Sequence, residues 1–352
     1  MKSSQAATVT QLQEFDEMID VRTPAEFAED HIPGAVNYPV LTNEERIVIG
    51  TMYKQVSSFE AKKLGAAYIA KRIAYYIENN FIDKPKDWKP LIYCWRGGKR
   101  SGSMTHIFRQ IGWNAHILDG GYKSYRKDVV SQLSTLPTAF QYRVITGMTG
   151  SGKSKVLEKL SELGAQVLDL EKLAQHKGSV LGNLPESPQP SQKSFETQLL
   201  IQLQSFNPNE IVFVEAESRK IGTLHVPDNL LDSMRKSPCL RIEASTDARV
   251  EFLIADYPYF INQPDNLTRT IDFLKELHGK EQLEEWKALI QQKQWSQLVT
   301  ELLNKHYDAL YKRSQNSNYV NHEQAPSYQT ADLSAKGIEI LATQILMDIH
   351  HV

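Results

Sequence analysis

Gly147-Met148-Thr149-Gly150-Ser151-Gly152-Lys153-Ser154 lies between the apolar run Val144–Thr146 and a stretch, Lys155–Leu163, with helical spacing of apolar residues. It matches G-x-x-x-x-G-K-[ST] at every fixed position, in the strand–loop–helix context that the motif requires. Glycines let the backbone N–H groups of such a loop turn inward on phosphate oxygens. Lys153 adds a mobile cation, and Ser154 a hydroxyl suited to Mg²⁺. Gly147, Thr149, Gly150, Ser151, Gly152, Lys153 and Ser154 are therefore the expected phosphate-binding residues, and the fold around them is α/β.

Downstream, Gln166–Leu170 is expected to be the second strand of a compact βαβ unit, and Ile211–Glu215 (IVFVE) a buried strand. A phosphate-transferring site needs a carboxylate at the end of a neighbouring strand. Asp169 and Glu215 are the candidates, with Glu217 close by; each is either such a group or a solvated strand terminus. Arg219 and Arg249 are either surface arginines, the plainer reading, or groups that approach the phosphates from the lid side. Gly178–Ser194, rich in Gly, Pro, Ser and Gln, is expected to be a mobile loop. Leu240–Ala244 is a further strand. Leu267–Ser314 has a charged helical pattern with Trp286 and Trp295 on its packed side. A polar tail, Gln315–Gln329, precedes a last amphipathic helix, Ala331–His350.

Upstream, short strands (Met18–Val21, Ala35–Tyr38, Pro90–Cys94, Ala115–Leu118) alternate with helical stretches (Thr23–Glu29, Gly65–Asn79, Ser101–Ile111). That alternation implies a second parallel sheet with crossover helices. The polar segment Ser131–Gln141 separates the two units, giving domains at 1–132 and 140–352, the latter ending in a helical region. Two domains suit a chain of 352 residues.

The first unit carries Cys94-Trp95-Arg96-Gly97-Gly98-Lys99-Arg100-Ser101 between a strand and a helix. A thiol placed there meets inward backbone N–H groups and the positive end of the following helix, a setting that suits a nucleophilic sulfur and an oxyanion. Cys94 is thus the candidate nucleophile, and Trp95, Arg96, Gly97, Gly98, Lys99 and Arg100 form its loop. A buried structural cysteine is the plainer alternative.

With the upstream Asp20-Val21-Arg22, Glu26-Phe27 and His31-Ile32-Pro33-Gly34-Ala35, this unit resembles a rhodanese domain over roughly residues 5–130. The resemblance implies a cysteine that carries sulfur or selenium. Asp20 and Arg22 then support the site, and His31 is a turn residue. The five residues between Cys94 and Arg100 match the Cys-x5-Arg loop of rhodanese-fold phosphatases, whereas Tyr93 stands where those enzymes carry His.

CWRGGKRS, then ILDGGYKSYR (Ile117–Arg126), then GMTGSGKS together resemble the tRNA 2-selenouridine synthase family over essentially the whole chain. The resemblance implies a transferase acting on tRNA with a wobble 2-thiouridine. The sulfur is first geranylated by geranyl diphosphate, and selenium from selenophosphate then replaces the geranylthio group. It further implies that the phosphate loop holds the diphosphate and Cys94 serves the selenium step. Both donors are co-substrates, no tightly bound cofactor is expected, and Mg²⁺ enters only at the phosphate loop. A selenophosphate-supplying enzyme is a candidate partner, and the chain is expected to act as a monomer. The competing reading is a Cys phosphatase or sulfurtransferase fused to a small-molecule kinase.

Bulk properties narrow this little. A net charge of −2 gives no global attraction to nucleic acid, although a local basic face is compatible with it. Basic clusters stand at Lys62-Lys63, Lys71-Arg72, Lys99-Arg100 and Lys123–Lys127, with Tyr122 and Tyr125 as candidates to stack on an extruded base; a charged solvated face is the plainer reading of each cluster. Two distant cysteines exclude a disulfide framework and favour a reducing compartment. No apolar run approaches the roughly 20 residues of a membrane helix, and the N-terminus lacks an apolar signal core, so a cytoplasmic location is expected.

Overall fold

The computed structural model describes residues 6–310, 319, 322 and 324–350. The chain forms two compact units, Met1–Gln132 and Leu133–Val352.

The first unit is built on a parallel sheet of five strands: β1 (Ala6–Ala7), β2 (Glu17–Asp20), β3 (Val36–Asn37), β4 (Pro90–Tyr93) and β5 (His116–Leu118). Their spatial order is β1-β5-β4-β2-β3. β4, wholly buried, is central, as expected of an apolar run flanked on both sides. Between the strands run α1 (Pro24–Glu29), α2 (Asn43–Gln55), α3 (Ser58–Tyr76) and α4 (Lys99–Ile111), and α5 (Tyr122–Leu133) follows β5. α4 buries Ser101, Met104, Thr105 and Phe108, one stripe at helical spacing. Met104 and Phe108 join Ile19, Ile92 and Trp113 in the core. α2 was not anticipated, and the expected helix Gly65–Asn79 is longer, starting at Ser58 and closing in a π turn, Ile77–Phe81.

In the second unit β6 (Gln141–Thr146) leads into the phosphate loop and α6 (Lys153–Glu162). Next come β7 (Gln166–Leu168), α7 (Leu170–Ala174), α8 (Gln192–Ser205), β8 (Ile211–Glu215), the small hairpin β9 (Lys220–Ile221) and β10 (Leu224–His225), α9 (Asp228–Lys236) and β11 (Cys239–Ala244). A helical region follows: α10 (Thr246–Asp256), α11 (Pro258–Asn262), α12 (Pro264–Ile271), α13 (Lys280–Gln291) and α14 (Trp295–Leu302). It packs around fully buried Trp286, with Trp295 partly buried against the same cluster. β12 (Ser327–Thr330) and a helix at Ala335–His350 complete the described chain.

The main sheet is parallel, in the order β12-β11-β6-β8-β7. Three expectations need correction. Strand β7 ends at Leu168, because Asp169 accepts a hydrogen bond from Lys172 N–H and caps α7. The expected loop Gly178–Ser194 ends earlier, since Ser191 caps α8. The expected polar tail contains β12, an edge strand whose sequence SYQT has no apolar run; residues 311–318 lie outside the described residues. No described helix is long and apolar enough to cross a membrane.

Candidate functional site

Cys94 follows β4 directly and is almost fully buried. Its Sγ accepts hydrogen bonds from Gly98 N–H at 3.3 Å and from Ser101 Oγ at 3.2 Å. Ser101, on the first turn of α4, is a contact that the sequence did not single out. The loop is held from beneath by the Asp119-Gly120-Gly121 turn after β5. Tyr122 N–H donates to the Cys94 carbonyl at 2.8 Å, and Lys123 N–H to that of Trp95 at 3.0 Å. Gly97 and Gly121, both at positive φ, let the two loops touch. A Cβ on Gly97 would lie 2.8 Å from the Leu118 carbonyl oxygen, and one on Gly121 would collide with the Cys94 carbonyl.

Arg100 is engaged by Glu26. Its guanidinium donates to both Glu26 carboxylate oxygens, at 2.6 and 3.1 Å. Burial raises the Glu26 pKa, but Arg100 outweighs it and holds the carboxyl at about 2. Glu26 also completes the cap of α1 with Thr23. An arginine bound in this way is poorly placed to clamp a phosphate over Cys94, which weakens the phosphatase reading. Tyr93, at the position of the phosphatase His, is buried and its hydroxyl accepts from Ile32 N–H. Arg96 and Lys99 are exposed, and Trp95 packs on Tyr122 at 5.4 Å between centroids.

Asp20 and Arg22 form a fully buried bidentate pair, and Arg22 also donates to the Asp30 carbonyl. Tyr122 lies under that guanidinium at 3.9 Å and donates its hydroxyl to Asp30. Tyr122 is therefore core, and Tyr125 is also buried, which corrects the expectation that they stack on a base. His31 stacks on Phe27 and its Nδ1 bonds the Phe27 carbonyl, as befits a turn residue.

In the phosphate loop, Lys153 curls back so that Nζ donates to the Gly147 carbonyl at 2.9 Å and lies 3.4 Å from Glu215 Oε1. Ser154 Oγ stands 3.0 Å from both Glu171 Oε2 and Glu215 Oε2. Each of Glu171, Glu215 and Glu217 brings a carboxylate oxygen within 4.8 Å of the others'. Burial, and then the charge of Glu215, pushes the carboxyls of Glu171 and Glu217 well above the usual range. Crowded carboxylates beside a hydroxyl are a hard oxygen donor set of the kind that takes Mg²⁺.

Of the three carboxylates named from the sequence, Glu215 meets Ser154 and Lys153, Glu217 stands within 4.8 Å of Glu171 and Glu215, and Asp169 caps α7 and lines the same cleft. Glu171 was missed: it sits in the first turn of α7, and no strand-end pattern points to it. Arg249 is a second correction. It is buried, donates from Nε to the Thr149 carbonyl at 2.8 Å, and pairs with Asp308 at 2.6 Å. Arg219 is exposed and paired with Asp228. The cleft above these groups measures about 1390 Å³; the loop, the carboxylates, His176, Lys177 and Tyr257 line it. It opens beyond the C-terminal ends of parallel strands, where ligands bind in such sheets.

A family profile described as the tRNA 2-selenouridine synthase AAA domain matches residues 140–286, and one described as a rhodanese-like domain matches residues 5–128. The tRNA 2-selenouridine synthase of Marinobacter nauticus is 31% identical over 329 residues, covering 84% of this chain and 87% of that one. That of a Sulfurovum species is 34% identical over 264 residues, covering 73% and 70%. The chain belongs to the tRNA 2-selenouridine synthase family. Another relative of that name, from Nitrosomonas europaea, is 37% identical over 244 residues, 68% of this chain. The match there spans 63% of the relative's length. Membership agrees with the two signature loops and with the order in which the chain carries them.

Proposed function

We propose that this protein converts the wobble 2-thiouridine of tRNA to 2-selenouridine, by S-geranylation with geranyl diphosphate followed by exchange of the geranylthio group for selenium from selenophosphate. The observation that carries this reading is the presence, in one chain of this family, of a sulfur held by two donors and a phosphate loop faced by three carboxylates.

A thiocarbonyl sulfur is a poor leaving group, so selenium cannot readily displace it; alkylation removes that obstacle. In the first step the thiocarbonyl sulfur attacks the geranyl C1, the C–O bond breaks and diphosphate departs. Lys153 and the backbone N–H groups at the start of α6 stabilise the charge that builds on diphosphate. Mg²⁺ held by Ser154, Glu171 and Glu215 would add to that stabilisation, with Glu217 closing the set.

In the second step Cys94 Sγ attacks C2 and expels geranylthiol, leaving a Cys94–C2 thioether linkage. The selenium of selenophosphate then attacks C2 and expels the Cys94 sulfur. Water releases phosphate, and the C2 selenocarbonyl remains. Gly98 N–H and Ser101 O–H, aimed at Sγ, are placed to carry charge on that sulfur as it leaves.

The test is incubation of the full chain with 2-thiouridine-containing tRNA, geranyl diphosphate and selenophosphate, followed by mass analysis of the nucleosides. A geranylated intermediate and a selenated product are expected. Unchanged nucleosides with every donor combination would overturn the proposal.

A further inference from the structure

Beside the phosphate loop lies a smaller cavity of about 80 Å³ with an almost wholly hydrocarbon wall. Leu253 and Ile254 of α10 and Trp295, Leu298, Val299 and Leu302 of α14 line it. Thr149, at the apex of the phosphate loop, lines both this pocket and the large cleft. Ser179, Leu253, Tyr257 and Tyr307 do the same, so the two spaces share a wall rather than lying apart.

The juxtaposition selects a ligand class. An apolar cavity does not hold water well, whereas the adjoining loop is built for an anion. One molecule satisfies both only if a phosphorylated head continues into a hydrocarbon chain. Size limits the fit: a cavity of ~150 Å³ takes benzene, so this one of about 80 Å³ takes about half as many carbons, roughly three, and seats only part of one five-carbon unit. The rest of a longer chain would run along the shared wall of Leu253, Tyr257 and Tyr307.

We propose that this pocket seats the hydrocarbon chain of an isoprenyl diphosphate whose diphosphate lies on the loop Gly147–Ser154. The assignment rests on the function proposed above and adds to it the place that recognises the tail. Each buried methylene multiplies affinity by about fourfold, so even a partly seated chain discriminates strongly against bare diphosphate.

Calorimetric titration of the full chain in Mg²⁺ with geranyl diphosphate and with inorganic diphosphate gives the ratio of the two Kd values. Geranyl diphosphate should bind at least about tenfold more tightly. Val299→Trp, at a half-buried position on α14, fills the pocket, and Ile254→Phe fills it from α10. Both should bring that ratio toward one, while Lys153→Ala weakens both ligands. Because the ratio is read within each variant, a general loss of folding does not imitate the effect. An equal Kd for both ligands in the unaltered protein would make the cavity a packing void and overturn the assignment. So would a ratio left intact in both filled variants, although the two-step function would then still stand. Failure of both ligands to bind at all would remove the assignment and the prenyl-transfer reading together.

Discussion

Gly121 approaches Cys94 so closely that any side chain at position 121 would overlap the Cys94 carbonyl oxygen, with Gly97 N only 2.5 Å from the same Cβ. The turn after β5 is thus a template on which the cysteine loop is shaped. Gly121→Ala adds left-handed strain to that overlap, and should destabilise the first unit by on the order of 3 kcal/mol. Denaturant unfolding measures it. A cost below about 1 kcal/mol would mean that the loop yields easily and is not templated.

The two loops should separate by substitution. Cys94→Ser is expected to stop selenation and leave geranylation running, because the phosphate loop is untouched. Lys153→Ala should slow geranylation by about 100-fold, the usual scale for a lost charge stabiliser at a developing anion. Nucleoside mass spectrometry with one donor at a time reads both, and the reverse pattern would exchange the roles of the two units.

Crowding at Glu171, Glu215 and Glu217 makes stability depend on pH in a definite direction. For Glu171 and Glu217 the folded pKa is raised, by burial first and by Glu215 second, so the folded state holds protons that the unfolded state releases near 4.5. Without divalent cation, stability should therefore fall as pH rises above about 4.5, by up to ~1.4 kcal/mol per unit for each proton retained. Glu217→Gln should flatten that slope. Mg²⁺ should raise Tm more at pH 8 than at pH 6. Equal Mg²⁺ effects at the two pH values would argue against a cation at these carboxylates.

Acid should act oppositely on the Glu26–Arg100 pair. Glu26 titrates at about 2 in the fold against 4.5 as its ordinary value. Its stabilising contribution is present above pH 4.5 and disappears as pH falls towards 2. Glu26→Gln should cost about 1–3 kcal/mol at neutral pH and less in acid, and it should release the Arg100 guanidinium to bind an anion over Cys94. A gain of phosphate-monoester hydrolysis in this variant would show that the pair is what restrains phosphatase-like chemistry.

Both loops were legible in the sequence because glycine, cysteine and lysine at fixed spacing between a strand and a helix encode local backbone geometry. Glu215 was legible for a related reason: it ends the apolar run IVFVE, and strand ends in a parallel sheet face the ligand. Glu171 was not, since its position depends on where α7 begins, and that is decided by Asp169 acting as a cap. α2 escaped notice because none of its residues is fully buried; Ile47 and Val48 are exposed, so no apolar stripe marks it. Tyr122 looked like a stacking platform in a basic stretch, yet its partner Asp30 lies 92 residues upstream. Arg249 was misread in the same way, because Thr149 and Asp308 are distant in sequence.

That last arrangement couples the phosphate loop mechanically to the helical region. Arg249 grips the loop apex with one edge of its guanidinium and Asp308, beyond α14, with the other. A ligand that shifts Thr149 must carry both ends of the helical segment with it, or break a largely buried ion pair at about 3–5 kcal/mol. If the loop and the pocket hold the two ends of one ligand, as proposed, head-group binding and tail binding are thermodynamically linked. By reciprocity, whatever orders the hydrocarbon wall tightens the grip on diphosphate, and losing diphosphate after transfer loosens the hold on the chain left behind.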